Sequence, residues 1–264
     1  MISAIGATLI STALTSAVTF SDGTMSAADW STLSRVQSGC CGTVTSTPMP
    51  SGGNPGSHWE VHHSLVTSTS SVSIVGVHTY SPAAYSPSVS GAIDSIDFSV
   101  DVQFVAGTPT ATAGHGIGLT ARQGSNIYGA TAGATGANAN WLTKSRVGIT
   151  STDFVLVAGT GSVDFSCTAQ PIVFGFYTSN SIGPNGSVTR TATYDNFSVS
   201  VNAVVPGTCA GDANGDGVVN FADITTVLGN WLDVNPVCGD ANGDGLVNFS
   251  DITTVLGNWL NMCP

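Results

Sequence analysis

Residues 93–105 read IDSIDFSVDVQFV. Ile96, Phe98, Val100, Val102 and Phe104 alternate with Asp97, Ser99, Asp101 and Gln103. A period of two places every apolar side chain on one face of an extended chain and every polar one on the other, so this stretch is a strand with one buried and one wet face. A lone strand of this kind has no partner for its apolar face, so the rest of the chain must supply a second sheet.

Working outward, the same period recurs between punctuation by Gly, Ser, Pro and Asn. Val18 and Phe20 open the series, and the spacing predicts strands at 58–66, 73–78, 116–122, 126–130, 141–149, 154–158, 171–178 and 189–201. A short helical turn is expected at Ala27 to Trp30, a loop from Cys40 to Gly56, and an irregular segment from Thr79 to Pro87 (TYSPAAYSP). Many short strands without a convincing helix predict a two-sheet antiparallel sandwich. A body of about 185 residues is long enough to bury its own core.

The pattern changes after VPGT (205–208). GDANGDGVVNFADITTVLGNWL (211–232) is followed, six residues on, by GDANGDGLVNFSDITTVLGNWL (239–260). Calcium loops need hard oxygen ligands on alternate positions, glycine at position 6 and a carboxylate at position 12. The first copy has Asp212, Asn214 and Asp216 at positions 1, 3 and 5, and Gly217 at position 6. Val218 offers its carbonyl at position 7, Asn220 stands at position 9, and Asp223 closes at position 12. The second copy repeats this set as Asp240, Asn242, Asp244, Gly245, Leu246, Asn248 and Asp251. After each loop an amphipathic helix is expected, its stripe formed by Ile224, Val227, Leu228, Trp231 and Leu232, and again by Ile252, Val255, Leu256, Trp259 and Leu260.

Charge and cysteines set further bounds. All five Lys and Arg residues precede the repeats, while seven aspartates lie within or between them. A nucleic-acid partner needs clustered cations, so that class is excluded, and no run approaches the roughly 18–20 apolar residues of a membrane span. Six cysteines without a CxxC pair indicate disulfides and an extracellular or cell-surface location rather than zinc or redox motifs. Cys209 and Cys263 bracket the repeats and are expected to pair, whereas adjacent Cys40 and Cys41 are not. Residues 1–17 leave a signal remnant and a first strand both open, because the apolar stretch lacks a basic start.

Two resemblances follow from these motifs. The loop-then-helix duplication, with Asp closing each loop and no helix before it, resembles a type I dockerin over 209–264. The body, with its ARQGSNIY hairpin, VDFSCTAQPIVFGFYTSNS and closing TATYDNFSVSV, resembles concanavalin A-like (laminin-G-like) jelly-roll domains of secreted bacterial proteins over 18–204. Together they imply a mainly β chain: an antiparallel jelly-roll β-sandwich, a linker at 205–208, and a small all-α tail of two calcium loop-helix repeats. The dockerin resemblance implies two Ca²⁺ ions and a cohesin partner. The tail departs from that pattern where cohesin contacts are expected, with Phe221 or Phe249 at position 10, Ala222 or Ser250 at position 11, and helices without Lys or Arg. Self-association through the tail is then an alternative, and Phe221 and Phe249 are expected to pack together as tail core. In carbohydrate-binding jelly rolls an Asp on the last strand holds a structural Ca²⁺, which points to Asp195 with oxygens from the Ser21–Asp22 turn.

For the body, the readings divide between a non-catalytic glycan-binding or structural module and a glycoside hydrolase. A glycosidase needs two positioned carboxylates. The body has one Glu, Glu60, and no Glu-x-Asp-x-x-Glu strand, while Asp97 and Asp101 are read as solvated, so the non-catalytic reading is preferred. His58, Glu60 and His62 of HWEVHH share one strand face, which suits either a transition metal or a hydrogen-bonded polar surface. Tyr80, Tyr85, Tyr128 and Trp141 are candidates to stack on polysaccharide rings or to serve as core.

Overall fold

A computed structural model describes residues 17–39, 41–66, 69–107, 115–136, 138–204 and 208–263. The expectations for residues 1–16, for the linker residues 205–207 and for Cys40 lie outside these described residues. In chain order the strands are β1 (Val18–Asp22), β2 (Trp30–Ser38), β3 (Gly42–Gly53), β4 (Gly56–Val66), β5 (Val72–Tyr85), β6 (Ile93–Gly107), β7 (Gly116–Gln123), β8 (Asn126–Ala134), β9 (Leu142–Ile149), β10 (Val155–Ala158), β11 (Ile172–Ile182) and β12 (Ser187–Ala203). A short α1 (Pro87–Ser90) links β5 to β6, a 3₁₀ turn (Ser151–Asp153) links β9 to β10, and α2 (Phe221–Gly229) and α3 (Phe249–Gly257) lie in the tail.

The strands form two antiparallel sheets. The first runs β3-β4-β12-β6-β9, with β1 also on β12; the second runs β10-β8-β7-β11-β5-β2. The opening stretch sits inside the first sheet, between β12 and β9, with Ile96, Phe98, Val100 and Val102 all buried. These side chains meet Leu119, Phe174 and Phe176 of the second sheet in one continuous core. Trp30 anchors it, its ring 5.0 Å from Tyr80, 5.3 Å from Phe176 and 5.1 Å from Phe197.

Three local expectations are corrected. Residues 27–29 form a turn, and Trp30 starts the strand β2 rather than ending a helical turn. The expected loop at 40–56 is largely β3, an edge strand, where Pro48 and Pro50 cost no ladder to a further neighbour. The segment from Thr79 onward stays extended as far as Tyr85. A bulge opposite Val173–Gly175 accommodates Pro82 while Ala83 and Tyr85 remain in the core.

The tail is a pair of near-identical halves. Gly211 N–H donates to Ala241 O at 3.0 Å, and Gly239 N–H returns the bond to Ala213 O at 2.9 Å. Its core consists of Ala213, Val219, Val227, Ala241, Val247 and Val255. Two expectations fail here. Each helix ends at its glycine, Gly229 or Gly257, so Trp231, Leu232, Trp259 and Leu260 lie beyond it, and Leu228 and Leu256 face out. Phe221 and Phe249 are 66% exposed rather than packed on one another. Each is the first residue after its Asn cap, at the outer end of the helix, and the small core is already filled by Ala and Val.

Two disulfides close this arrangement. Cys209–Cys263 clasps the ends of the tail as expected, with Cα atoms 5.9 Å apart. Cys167–Cys238, Cα atoms 6.0 Å apart, ties the tail to the sandwich. Cys41 is disulfide-bonded as well. Around Cys167–Cys238 the two parts touch directly: Cys167 N–H donates to Asn214 O at 2.8 Å, and Ala92, Val204 and the disulfide form a small apolar cluster. Gly215, at φ +70°, approaches Ala92 so closely that a Cβ there would lie 2.5 Å from the alanine methyl. No helix among the described residues is long and apolar enough to cross a membrane.

Candidate functional site

Each loop of the tail is wound around its own carboxylates. Asp212 Oδ1 accepts from the backbone N–H of Gly215 at 2.8 Å and of Asp216 at 3.1 Å, and Oδ2 accepts from Gly217 at 3.0 Å. Asp216 Oδ1 accepts from Val218 N–H at 2.9 Å, and Asn214 Nδ2 donates to Asp216 Oδ2 at 3.0 Å. Asn220 Nδ2 lies against Val218 O at 3.1 Å, while its Oδ1 caps α2 through Ala222 N–H. Asp223 reaches back across the loop: Oδ1 accepts from Ala213 and Asn214, and Oδ2 from Asn220 N–H at 2.7 Å. The closing aspartate thus also completes a capping box for the helix.

The second loop repeats the geometry. Asp240 accepts from Gly243, Asp244 and Gly245, Asn242 Nδ2 meets Asp244 Oδ2, Asn248 Nδ2 meets Leu246 O, and Asp251 accepts from Asn242 and Asn248. The repeated turns need left-handed residues where the sequence has glycine, with Gly217 and Gly245 both at φ +86°.

The electrostatics of the loops are one-sided. Asp223 and Asp251 are fully buried, yet residues 209–263 contain no Lys, Arg or His. Burial pushes the Asp212 and Asp223 carboxyls above the usual carboxylate range against the pull of the loop N–H groups, the Asp216 charge adds to the rise at both, and the Asp212 charge adds to it at Asp223. A set of oxygen-only donors with buried, mutually repelling carboxylates fits a hard divalent cation better than a proton or an organic cation. Among the described residues one group of three His, Cys, Asp or Glu ligand atoms lies within 4.8 Å: Asp212 beside Cys209 and Cys263. Those two sulfurs are already joined in the tail disulfide.

In the sandwich, β4 presents His58, Glu60 and His62 on one face, as the alternation predicts, and Trp59, Val61, His63 and Leu65 on the other. The first three do not gather. His58 turns its ring edge to Trp141, 6.2 Å between centroids, and His62 Nδ1 pairs with Thr191 Oγ1 at 2.9 Å.

Beside His58 the structure brings together residues that are distant in sequence. Asp195 accepts from Asn54 N–H at 2.5 Å and Asn196 N–H at 2.8 Å. Asp101 accepts from Asn54 Nδ2, Asn196 Nδ2 and Thr143 Oγ1 at 3.0, 2.8 and 2.6 Å. All four carboxylate oxygens are therefore occupied, and Asp101 is buried rather than solvated. Burial raises the Asp195 carboxyl above its usual range, and the neighbouring Asp101 charge adds to this. Asp22 is turned elsewhere. Burial works against its ionisation, but Trp30 Nε1–H and the Thr24 and Met25 N–H groups outweigh it and hold its carboxyl low.

Of the four aromatic candidates, Tyr85 and Tyr128 are core, Tyr80 stacks on Trp30, and Trp141 stands half-exposed against the His58 ring. Sequence reading missed the Cys167–Cys238 link and three inward histidines, His63, His78 and His115. For His63 the signal was its parity with Val61 and Leu65.

No family model matches the chain, and no curated protein matches it. Among solved structures, it is similar to a family 11 carbohydrate-binding module from Clostridium thermocellum in complex with a β-1,3-1,4-mixed-linked tetrasaccharide, at 14% identity and TM-score 0.40, covering 72% of this chain and 99% of that one. It is also similar to the C-terminal family 22 carbohydrate-binding module of Clostridium thermocellum Xyn10B, at 12% identity and TM-score 0.37, covering 70% and 95%. A third is the xylan-binding CBM22-1 domain of Paenibacillus barcinonensis Xyn10C, at 11% identity and TM-score 0.29, again covering 70% and 95%.

Proposed function

We propose that this chain is an extracellular, non-catalytic module protein: a glycan-binding β-sandwich carrying a dockerin-type tail that holds two Ca²⁺ ions. The observation that carries the reading is the doubled set of inward aspartates, half-buried Asp212 and buried Asp223 with buried Asp240 and Asp251, in a tail without a single cationic side chain. Asp212, Asn214, Asp216, the Val218 carbonyl, Asn220 and Asp223 would hold the first ion. Asp240, Asn242, Asp244, the Leu246 carbonyl, Asn248 and Asp251 would hold the second. Bound calcium supplies the positive charge that lets these carboxylates crowd together. Calorimetric titration of the chelated full chain should show two ions per chain, and D212A with D240A should abolish the heat. Zero bound calcium in the unmodified chain would end the proposal.

Extracellular placement follows from cysteine use: Cys41, Cys167, Cys209, Cys238 and Cys263 are all disulfide-bonded, a state reducing compartments disfavour. Glycan binding rests on Trp141, a half-exposed indole whose ring lies edge-to-face with the His58 imidazole. An apolar ring face beside a polar ring suits a sugar. On a polysaccharide panel, W141A should weaken retention at least tenfold, corresponding to about 1.4 kcal/mol. Hydrolysis of any glycan by the chain would replace this reading with the glycosidase alternative. Asp101 and Asp195 do not favour it, since donors from the chain already cover both carboxylates. The tail's outward Phe221, Leu228, Trp231 and Leu232, with their repeats, are the surface for joining an assembly. Sedimentation with and without calcium separates self-association from a cohesin-like partner.

A further inference from the structure

The interior of the sandwich contains an uncompensated cation. Arg190 on β12 is 2% exposed, lies opposite His63 of β4 in the ladder, and has its guanidinium 5.6 Å from the Phe104 ring. Its Nε and Nη2 have no hydrogen-bond partner, and no carboxylate among the described residues pairs with it. Two neighbouring imidazoles are in the same condition. His63 and His115 are fully buried with ring centroids 4.4 Å apart, and His63 Nδ1 and His115 Nε2 are unpartnered. The other nitrogen of each ring is engaged: His63 Nε2 with Thr178 Oγ1 at 2.8 Å, and His115 Nδ1 with Tyr194 OH at 2.9 Å. Burial disfavours protonation of the His115 ring, the charge of nearby Arg190 adds to this, and the Arg190 backbone acts the other way.

We propose that Arg190, His63 and His115 form a binding site between the two sheets for one small carboxylate anion. The unpaired Nε and Nη2 make up one edge of the guanidinium, the two-donor fork that matches both oxygens of a carboxylate. The hydrogen-bond relay behind the rings joins Ser46 Oγ, Thr32 Oγ1, His78 Nδ1, His78 Nε2, Thr178 Oγ1 and His63 Nε2, and its geometry allows either direction. In the direction in which Ser46 O–H donates first, Thr178 O–H donates to His63 Nε2 and His63 Nδ1 carries the proton. With Tyr194 O–H donating to His115 Nδ1, His115 Nε2 carries one as well. An anion beside the guanidinium favours this direction, because all four unpartnered atoms then donate to it. Burial keeps the rings uncharged at neutral pH, with His63 held down to about 3. One guanidinium therefore balances one negative charge, which selects a monoanionic carboxylate over sulfate or phosphate dianions.

The test is NMR of the full calcium-loaded chain with ¹⁵N-labelled histidine at neutral pH. Sodium formate is titrated against sodium chloride at constant ionic strength. The ring nitrogens of His63 and His115 should shift together and saturate, while those of exposed-face His62 stay still. R190Q should raise the formate midpoint at least about 30-fold. If R190Q fails to fold, R190K, which keeps the charge but loses the fork, should raise it in the same direction. Absence of a saturable shift at His63 and His115 overturns the proposal. So does an unchanged midpoint in the folded variant, or an equal response to sulfate.

Discussion

His63 and His78 are imidazoles without access to water, and burial pushes both down to about 3, with the neighbouring imidazole, His62 for His63 and His63 for His78, adding to it. In the unfolded chain each returns to about 6.5. The unfolded state therefore binds protons first as pH falls, and the stability these rings support, complete above about 6.5, drains away towards 3. At pH 4.5 the loss is about 2–3 kcal/mol per ring, at 1.36 kcal/mol per pH unit. Urea unfolding in chelator, followed through buried Trp30 and Trp59, should show the sandwich weakening between pH 7 and 4.5. A flat profile would mean that the rings are not held neutral by the fold. At this scale the sequence was legible where chemistry is local. The two loop turns of the tail are legible because Asp212 and Asp223 bond to groups within the same loop. Asp101 reads from its own strand as a solvated side chain, because its donors Asn54 and Asn196 lie 47 and 95 residues away. Period-two alternation sorted His58 from His63, but alternation does not say which face is deprived of water.

Among the elements, α2 and α3 are nine residues each, too short to persist in water without packing. Their packing comes from one residue per turn and a capping box, and the expected wide stripe is narrower in fact. Val227 is fully buried whereas Phe221, six positions earlier in the same helix, is 66% exposed. V227A should therefore cost about 1–3 kcal/mol of tail stability, and F221A should stay within about 0.5 kcal/mol of the parent. Thermal unfolding of the two variants in calcium decides this, and a costly F221A would restore the expected Phe221–Phe249 contact. Helical periodicity overran the helix because Ile, Val, Leu and Trp continue in phase past Gly229, while Asn230 caps the helix and Leu232 turns to φ +69°. The strands that escaped notice, β2 and β3, are both sheet edges. An edge strand buries less, so polar side chains are tolerated on both faces, and what holds it is a ladder to a distant partner rather than its own pattern.

At the scale of the whole molecule, the tail and the sandwich meet, among the described residues, where the first loop and the start of the second repeat reach the β10–β11 connection. Cys209–Cys263 was legible because the two cysteines bracket a repeat; Cys167–Cys238 joins residues 71 apart and belongs to no motif. The contact it fixes is small: one backbone hydrogen bond from Cys167 to Asn214, the Ala92–Val204 cluster and the close approach of Gly215. So modest an interface does not by itself hold two domains rigid. Cross-linking residues 71 apart restricts the unfolded chain by about 4 kcal/mol in the chain-entropy account. Replacing both cysteines with serine should therefore uncouple the parts. In calorimetry without calcium, the parent should unfold with its tail tied to the sandwich, whereas C167S with C238S should show an early tail transition separate from that of the body. Adding calcium should move that early transition upward and leave the sandwich transition in place, because the proposed ligand set lies wholly within residues 212–251. A variant that still unfolds in a single step without calcium would show that loop 1 docks on the sandwich strongly enough to need no covalent link.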